Sequence, residues 1–316
     1  MNISASFTVV KPGVLTTIQD LGRFQQAHLG ITTGGPADKE AFSLANQLLN
    51  NPENAPALEV NFGDIELVAN CNTTIAVTGA QAKISINGNP KANWQCHHLS
   101  TGDKLHIDFT TKGCRVYIAV SGGFSVSRQF GSASTVVREK LGGIDGEAIK
   151  AGQQLVMAQP DIRPLTKVQS HHIPNYSNEV NLRVITGYQI ALFDRSQVNK
   201  FFSSVYEVSA QYDRMGYRLK GSGIKSDIST MYSEGICQGA IQIPPDGQPI
   251  VLANDRQTIG GYPKIGSVLS LDLNKLMQCT QGAKVSFEAI SIHCAHNLLH
   301  LAQSKYANTS VFEGVA

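Results

Sequence analysis

The sequence predicts a mainly β protein made of two β-barrel units with a few short helices. Three observations lead there. Short apolar runs, many alternating with polar residues, fill most of residues 56 to 158 and resume at Leu182. A faint repeat relates the two halves. Gly102-Asp-Lys-Leu105-His-Ile107-Asp108-Phe109 has the form of Gly266-Ser-Val-Leu269-Ser-Leu271-Asp272-Leu273. Each is followed by a glycine, a basic residue and a similar strand, Gly113-Cys-Arg115-Val116-Tyr-Ile118 and Gly282-Ala-Lys284-Val285-Ser-Phe287. Finally, 316 residues is a length that favours two domains. Closing each sheet into a barrel would also remove the edges that many short strands otherwise expose.

Along the chain, residues 7 to 19 read as a strand broken by Pro12-Gly13. A polar, glycine-rich loop follows, carrying Asp20, Arg23, His28 and Asp38. It runs into a helix over 38–50, where Ala41, Leu44, Ala45, Leu48 and Leu49 share one face. Asp38 is its expected N-cap, and Asn50-Asn51-Pro52 its stop. Lys83 to Ile86 alternates into Asn87-Gly88, a two-residue hairpin signal. Leu105, Ile107 and Phe109 read as one half-buried strand, and Val116 to Val120 as a strand buried on both faces. Residues 159 to 180, with three prolines and no period, read as a linker. Domains are therefore expected at 1–165 and 176–295, with a helix and tail over 296–316. In the second half, strands are expected at 182–185, 206–209, 239–243, 249–253, 268–273 and 285–292. Helices are expected within 193–205 and from His293 to Tyr306.

The bulk numbers exclude several classes. An apolar fraction of 42%, a charged fraction of 16% and a net charge of +2 describe an ordinary globular protein. They give no reason to expect a nucleic acid or an anionic membrane as partner. No apolar stretch approaches the roughly 20 residues of a membrane span, and the start lacks a secretory pattern. The six cysteines form no C-x-x-C, so they are expected to be reduced and buried, in a cytoplasmic protein. His293, His296 and His300 share helical spacing, but no carboxylate accompanies them, and no metal site is expected. No phosphate loop, G-x-S-x-G or H-E-x-x-H occurs.

Candidate chemistry gathers in the second half. Ser233 to Gly266 carries two apolar runs around Pro244-Pro245-Asp246-Gly247, then a dense polar loop from Asn254 to Lys264. Gly260-Gly261 would let the backbone approach something closely. Tyr212 to Arg218 sets Asp213, Arg214 and Arg218 around a glycine. The planar fork of arginine suits a carboxylate or phosphate. Ordinary surface turns would have similar compositions, but three charged, glycine-containing loops in a chain of low charge favour a site.

These segments together resemble a known family. Gln19-Asp-Leu-Gly-Arg23, His28-Leu-Gly30, Leu44-Ala-Asn46, Ala57-Leu-Glu59, Ser121-Gly-Gly123 and Gly131-Ser-Ala-Ser-Thr135 resemble the allophanate hydrolase subunit 2 family. So do Asp213-Arg-Met-Gly-Tyr-Arg-Leu219, Gly239-Ala-Ile-Gln-Ile-Pro-Pro-Asp-Gly-Gln-Pro-Ile250, Asp255-Arg-Gln-Thr258 and Gly260-Gly-Tyr-Pro263. The family is also called the Kip antagonist or biotin-dependent carboxyltransferase family, and it includes bacterial 5-oxoprolinase subunits. The resemblance covers roughly residues 7 to 292. Gln153 stands where Asp is usual and Tyr212 where Ser is usual, both beside the motifs.

The resemblance implies cyclophilin-like barrels and an ATP-dependent opening of 5-oxo-L-proline to L-glutamate. The implied partners are the two other subunits of a 5-oxoprolinase, one of the Kip-inhibitor type (its B subunit) and one separate from both (its A subunit). ATP would be shared with, or bound by, a partner. An alternative within the family is a carboxyltransferase component of a biotin-dependent urea or amide carboxylase. No Met-Lys dipeptide occurs here, so biotin would arrive on another chain. A third is a non-catalytic regulator binding a Kip-type kinase inhibitor. On the matching motifs, Asp213, Arg214, Asp255 and Gln257 are expected to be catalytic. Arg218, Gln242, Thr258, Tyr262 and Lys264 are expected to bind substrate. Asp20, Arg23, His28, Asp38 and Glu59 are expected in a cleft or a partner interface.

Overall fold

The computed structural model describes residues 5–308, except 229, and residues 311–315. The chain divides into two compact units. One holds Met1–Phe24, Gly34–Tyr176 and Ser310–Ala316; the other holds Gln25–Thr33 and Ser177–Thr309.

The first unit begins with β1 (Ser6–Pro12) and β2 (Leu15–Gln19), separated at Gly13, whose φ of 74° allows the break. Then come α1 (Lys39–Leu48), β3 (Ala57–Asn61), β4 (Ile65–Ala69), β5 (Thr73–Gln81), β6 (Ile84–Ile86) and β7 (Asn89–Lys91). β8 (Gln95–Leu99), β9 (Lys104–Ile107), β10 (Lys112–Val120), β11 (Gln154–Val156) and β12 (Thr166–Val168) follow. They form two sheets, β11-β1-β4-β9-β6-β7 and β2-β3-β10-β5-β8-β12. Phe7, Leu67 and Ile107 from the first sheet meet Leu58, Val77 and Ile118 from the second in one core. The helix α1 covers the outer face of the second sheet, burying Phe42, Leu44 and Leu48 with Tyr117 and Ala76. Asp38 caps α1, its side chain accepting from Ala41 N at 3.1 Å. The Asn87-Gly88 hairpin forms as expected, with both residues at positive φ (52° and 79°) between paired β6 and β7.

The second unit is a closed barrel. Its elements are β13 (Glu179–Thr186), α2 (Arg195–Ser203), β14 (Tyr206–Tyr212), β15 (Gly216–Lys220), β16 (Glu234–Gly235), β17 (Ala240–Gln242) and β18 (Ile250–Leu252). β19 (Ile259–Gly260), β20 (Lys264–Val268), α3 (Ser270–Met277), β21 (Lys284–Ile290) and α4 (Ile292–Asn308) follow. The barrel order is β13-β20-β17-β18-β15-β14-β21, closed by the parallel pairing of β13 with β21. β16 and β19 form a separate two-stranded flap. Phe201 of α2 stacks on Phe287 of β21, with ring centroids 4.5 Å apart. The last strand, β22 (Phe312–Gly314), returns to the first unit and pairs with β12.

Several expectations are corrected. The segment Val268–Leu273 is not a strand: β20 ends at Val268 and α3 starts at Ser270. Leu269, Leu271 and Leu273 alternate, but Asp272, Leu273, Leu276 and Met277 are the buried positions, a helical spacing. The repeat thus fails in this part, while its second strand is present in both units as β10 and β21. The strand through Leu105 stops at Ile107, and Phe109 is exposed. Cys96, Cys114 and Cys279 are buried and all six cysteines are free, but Cys237 and Cys294 are exposed. Within residues 159–180, Thr166–Val168 is a strand of the first unit, and the chain enters the second unit at Ser177. No described helix is long and apolar enough to cross a membrane.

Asp272 ties the first turn of α3 to Arg183 of β13. It is fully buried. One carboxylate oxygen accepts from Arg183 N and Nε at 2.9 and 2.7 Å, the other from Arg183 Nη2 at 2.7 Å and Lys275 Nζ at 2.9 Å. Burial alone would push this carboxyl up, but the bonds from Arg183 and Lys275 outweigh it and hold it below the ordinary carboxylate range. A depressed folded-state value stabilises above the unfolded value, about 3.9, and that contribution is lost as pH falls through the folded value. Asp272→Asn is therefore expected to reduce stability at neutral pH and to flatten its decline in acid. Urea midpoints of both proteins between about pH 7 and 3 check this.

Candidate functional site

The barrel wall builds a cleft from its alternation. Tyr217, Val251 and Ile241 are direct cross-strand neighbours on β15, β18 and β17, and each is at most 1% exposed. They are the inward row. The adjacent row, Arg218, Ile250 and Gln242, must then point outward. On that outer face lies a cleft of about 290 Å³, lined by Asp213, Arg218, Gln242, Gln257 and Tyr262. Gln211, Met215, Gly216, Ile250 and Leu252 complete it.

Five of the nine residues expected to act on substrate thus converge: Asp213, Arg218, Gln242, Gln257 and Tyr262. Asp213 closes the β14–β15 turn. One of its carboxylate oxygens accepts from Met215 N (2.7 Å) and Gly216 N (3.2 Å). Arg218 pairs with Asp246, the aspartate of the Pro-Pro-Asp-Gly turn. Gln242 is 2% exposed, and its Nε2 has no hydrogen-bond partner among the described residues.

Arg214, Asp255, Thr258 and Lys264 do not line the cleft. Arg214 and Asp255 form a two-pronged buried ion pair, Nε and Nη2 donating to the two carboxylate oxygens at 2.9 and 2.8 Å. Arg214 O also accepts from Asp255 N at 2.7 Å. The pair fastens the β14–β15 turn to the loop after β18. Thr258 O accepts from Ile236 N. Lys264 pairs with Glu234 of the flap, which also accepts from Tyr188 and Gln189. The bond from Lys264, with that from Tyr188, holds the Glu234 carboxyl below its ordinary range. Burial pushes the Arg256 guanidinium down; its Nε donates to Ile236 O at 3.2 Å.

Gly260 and Gly261 do approach something closely, and it is the protein itself. A Cβ on Gly260 would lie 2.4 Å from Ile236 Cδ1 and 2.8 Å from Gln242 Nε2; one on Gly261 would lie 2.7 Å from Met231 O.

The N-terminal residues take other places. Asp20, Arg23, Asp38 and Glu59 lie in the first unit and are at most 1% exposed. Asp20 accepts from Gly22 N, Ala133 N, Ser132, Ser134 and Arg128. Arg23 donates to the carbonyls of Gln129 and Ser134. Glu59 accepts from Ala37 N (2.8 Å) and Tyr117 Oη (2.7 Å), while Asp38 accepts from Tyr176 Oη (2.7 Å). Burial, with these carboxylates alongside, pushes both tyrosines well above their ordinary values. His28 lies in the second unit, exposed, in a short 3₁₀ turn (Ala27–Leu29). None of the five lines the cleft. Of the cleft residues that sequence reasoning missed, Gln211, Ile250 and Leu252 carry only a strand-alternation signal, and Met215 sits in the turn between β14 and β15.

The carboxyltransferase domain, subdomain A and B, family model matches residues 29–289. The chain is 34% identical to the C subunit of 5-oxoprolinase from Escherichia coli (strain K12), over 90% of this chain and 91% of that protein. It is 35% identical to the C subunit of 5-oxoprolinase from Haemophilus influenzae, over 89% and 90%. The crystal structure of the K. lactis urea amidolyase superposes with a TM-score of 0.92 at 27% identity, over 98% of this chain and 20% of that one. The chain therefore spans about a fifth of that larger enzyme. With a family match across most of its length and a mainly β fold shared with that structure, the chain belongs to the carboxyltransferase domain, subdomain A and B, family.

Proposed function

We propose that the chain is one component of an ATP-dependent 5-oxoprolinase and holds 5-oxo-L-proline while its lactam is opened to L-glutamate. The observation that carries this is the composition of the cleft: one guanidinium, Arg218, among the side-chain amides of Gln211, Gln242 and Gln257. That set suits a small amide bearing a carboxylate. The two relatives that are C subunits of 5-oxoprolinases, aligned over about nine-tenths of both chains, support the same reading.

An unstrained amide is a poor electrophile, and ATP would supply the phosphoryl group that activates its oxygen. The residues of this chain bind and orient. Arg218 exchanges Asp246 for the substrate carboxylate, and Gln242 and Gln257 hydrogen-bond the lactam. Asp213, whose second oxygen is left for solvent or substrate by its turn bonds, orients a proton-bearing group. The chain has no phosphate loop and its cleft one cation, so ATP is assigned to a partner of the Kip-inhibitor type, with a further subunit completing the enzyme. The likeness to the urea amidolyase structure favours one second reading, carboxyl transfer to a small amide with biotin carried on another chain.

The test is 5-oxoproline-dependent ADP release by the chain assembled with the products of its neighbouring genes. Arg218→Met should raise KM by about 10- to 150-fold, the loss of a hydrogen-bonded charge worth about 1.5–3 kcal/mol. Asp213→Asn and Gln257→Ala should cut turnover with cooperative unfolding retained, since Asn preserves the turn. Biotin-dependent carboxylation of urea, with no ADP release on 5-oxoproline, would replace the first reading by the second.

A further inference from the structure

The outward row of the barrel does not end at Gln242. Past a bulge that leaves Ile265 without a partner on β17, Gln242 is the cross-strand neighbour of Lys264 on β20, so Arg218, Ile250, Gln242 and Lys264 are successive cross-strand neighbours over four strands. Neighbouring strands lie about 4.8 Å apart. The line has a cation at each end, and each cation is held by a carboxylate from outside the barrel wall, Asp246 on Arg218 and Glu234 on Lys264. Between them lies Gln242, whose buried Nε2 has no partner among the described residues.

The flap covers the Lys264 half of this line. Glu234 is on β16 and Gly260 on β19, and they are paired residues. Gly260 packs so close to Gln242 that a Cβ would be 2.8 Å from Nε2. Lifting the flap would therefore free Lys264 from Glu234 and uncover Gln242 in one movement. The flap is small, with two residues in each strand. Beside the bonds of Glu234, the backbone bonds of Met231 N to Gly261 O and Ile236 N to Thr258 O hold its two edges together.

We propose that the row is a dianion site, in which Arg218 takes a carboxylate, Lys264 takes a phosphate-type group in place of Glu234, and Gln242 donates to the ligand between them. A monoanionic lactam fills the Arg218 end and leaves Lys264 with Glu234. A phosphorylated carboxy-amide fills both ends and satisfies the orphaned amide. This rests on the cleft being the substrate site, and adds that the site prefers the phosphorylated form of its substrate over the amide itself. Glu234 keeps the Lys264 end occupied until such a ligand displaces it.

Calorimetric titration of the full chain tests this with 3-phosphonopropionate (a carboxylate and a phosphonate), 5-oxoproline and inorganic phosphate. The dianion should bind at least tenfold tighter than either of the others. Glu234→Gln should tighten 3-phosphonopropionate further, because its competitor is gone. Lys264→Met should weaken it tenfold or more. The double variant Glu234→Gln/Lys264→Met, which buries no lone charge, should weaken it likewise, separating the effect from misfolding. Equal affinities for the dianion and the lactam, no binding of the dianion, or no response to Glu234→Gln overturns the proposal. The cleft reading itself fails separately, if Arg218→Met leaves 5-oxoproline binding unchanged.

Discussion

Asp255→Ala is expected to destabilise the barrel unit by about 3–5 kcal/mol, the usual cost of removing one partner from a buried ion pair. Both side chains of the pair are almost out of solvent, at 9% and 10% exposed, and both carboxylate oxygens are engaged by the guanidinium. The variant would leave Arg214 buried and charged without its two-pronged acceptor. Replacing both residues, Arg214→Met with Asp255→Leu, should recover part of the loss, because no unpaired charge then remains. Urea unfolding of the two variants measures this. A loss below about 1 kcal/mol for Asp255→Ala, the range of exposed pairs, would show that the pair is not buried in solution. A catalytic base would behave differently: its loss would abolish turnover in a protein of normal stability.

Asp20→Ala should cost the first unit a similar amount, about 3–5 kcal/mol, without any ligand being involved. Asp20 is fully buried and gathers two backbone N–H groups and two serine hydroxyls from Gly22, Ala133, Ser132 and Ser134. Removing the carboxylate strands donors that each cost about 1–3 kcal/mol when buried and unsatisfied. Relaxation of the loop around Gly131 recovers some of that. Exposed Arg128 also loses its bond to Asp20, a minor contribution because its guanidinium reaches solvent. Thermal unfolding of the variant checks the prediction, and an unchanged midpoint would refute the structural part given to Asp20. Since Asp20 lies outside the cleft, binding of the proposed substrate, 5-oxoproline, at a temperature where the variant is folded should be unaffected.

Asp255 and Asp20 show what a single sequence conveys and where it misleads. Charged residues in glycine-rich loops read as site residues, because burying charge is costly and a site is one reason to do it. The structure supplies another reason for both: beside the local bond from Gly22 N to Asp20, each carboxylate is held by donors from a distant part of the chain, 41 residues away for Arg214, 112 for Ser132 and 114 for Ser134. Spacing along the sequence cannot reveal such partners. Asp213, by contrast, bonds within three residues, and its turn is legible in Asp213-Arg-Met-Gly216.

Local rules are sufficient where the determinants are local. Asn87-Gly88 specifies its hairpin because few residues accept two consecutive positive φ angles. Asp38 specifies the start of α1 because its side chain reaches Ala41 N, three residues on. They fail at Leu269–Leu273, where alternation and helical spacing coexist in the same five residues, and the segment folds as a helix with Asp272 buried against Arg183. The β class, the turns and caps, and the segments that build the cleft are therefore legible in local sequence. Which charged residues face that cleft and which hold it together depends on long-range packing. Barrel closure sets the strand register, and register brings Arg218, Gln242 and Lys264 into one outward row while Arg214 and Asp255 close on each other beside it.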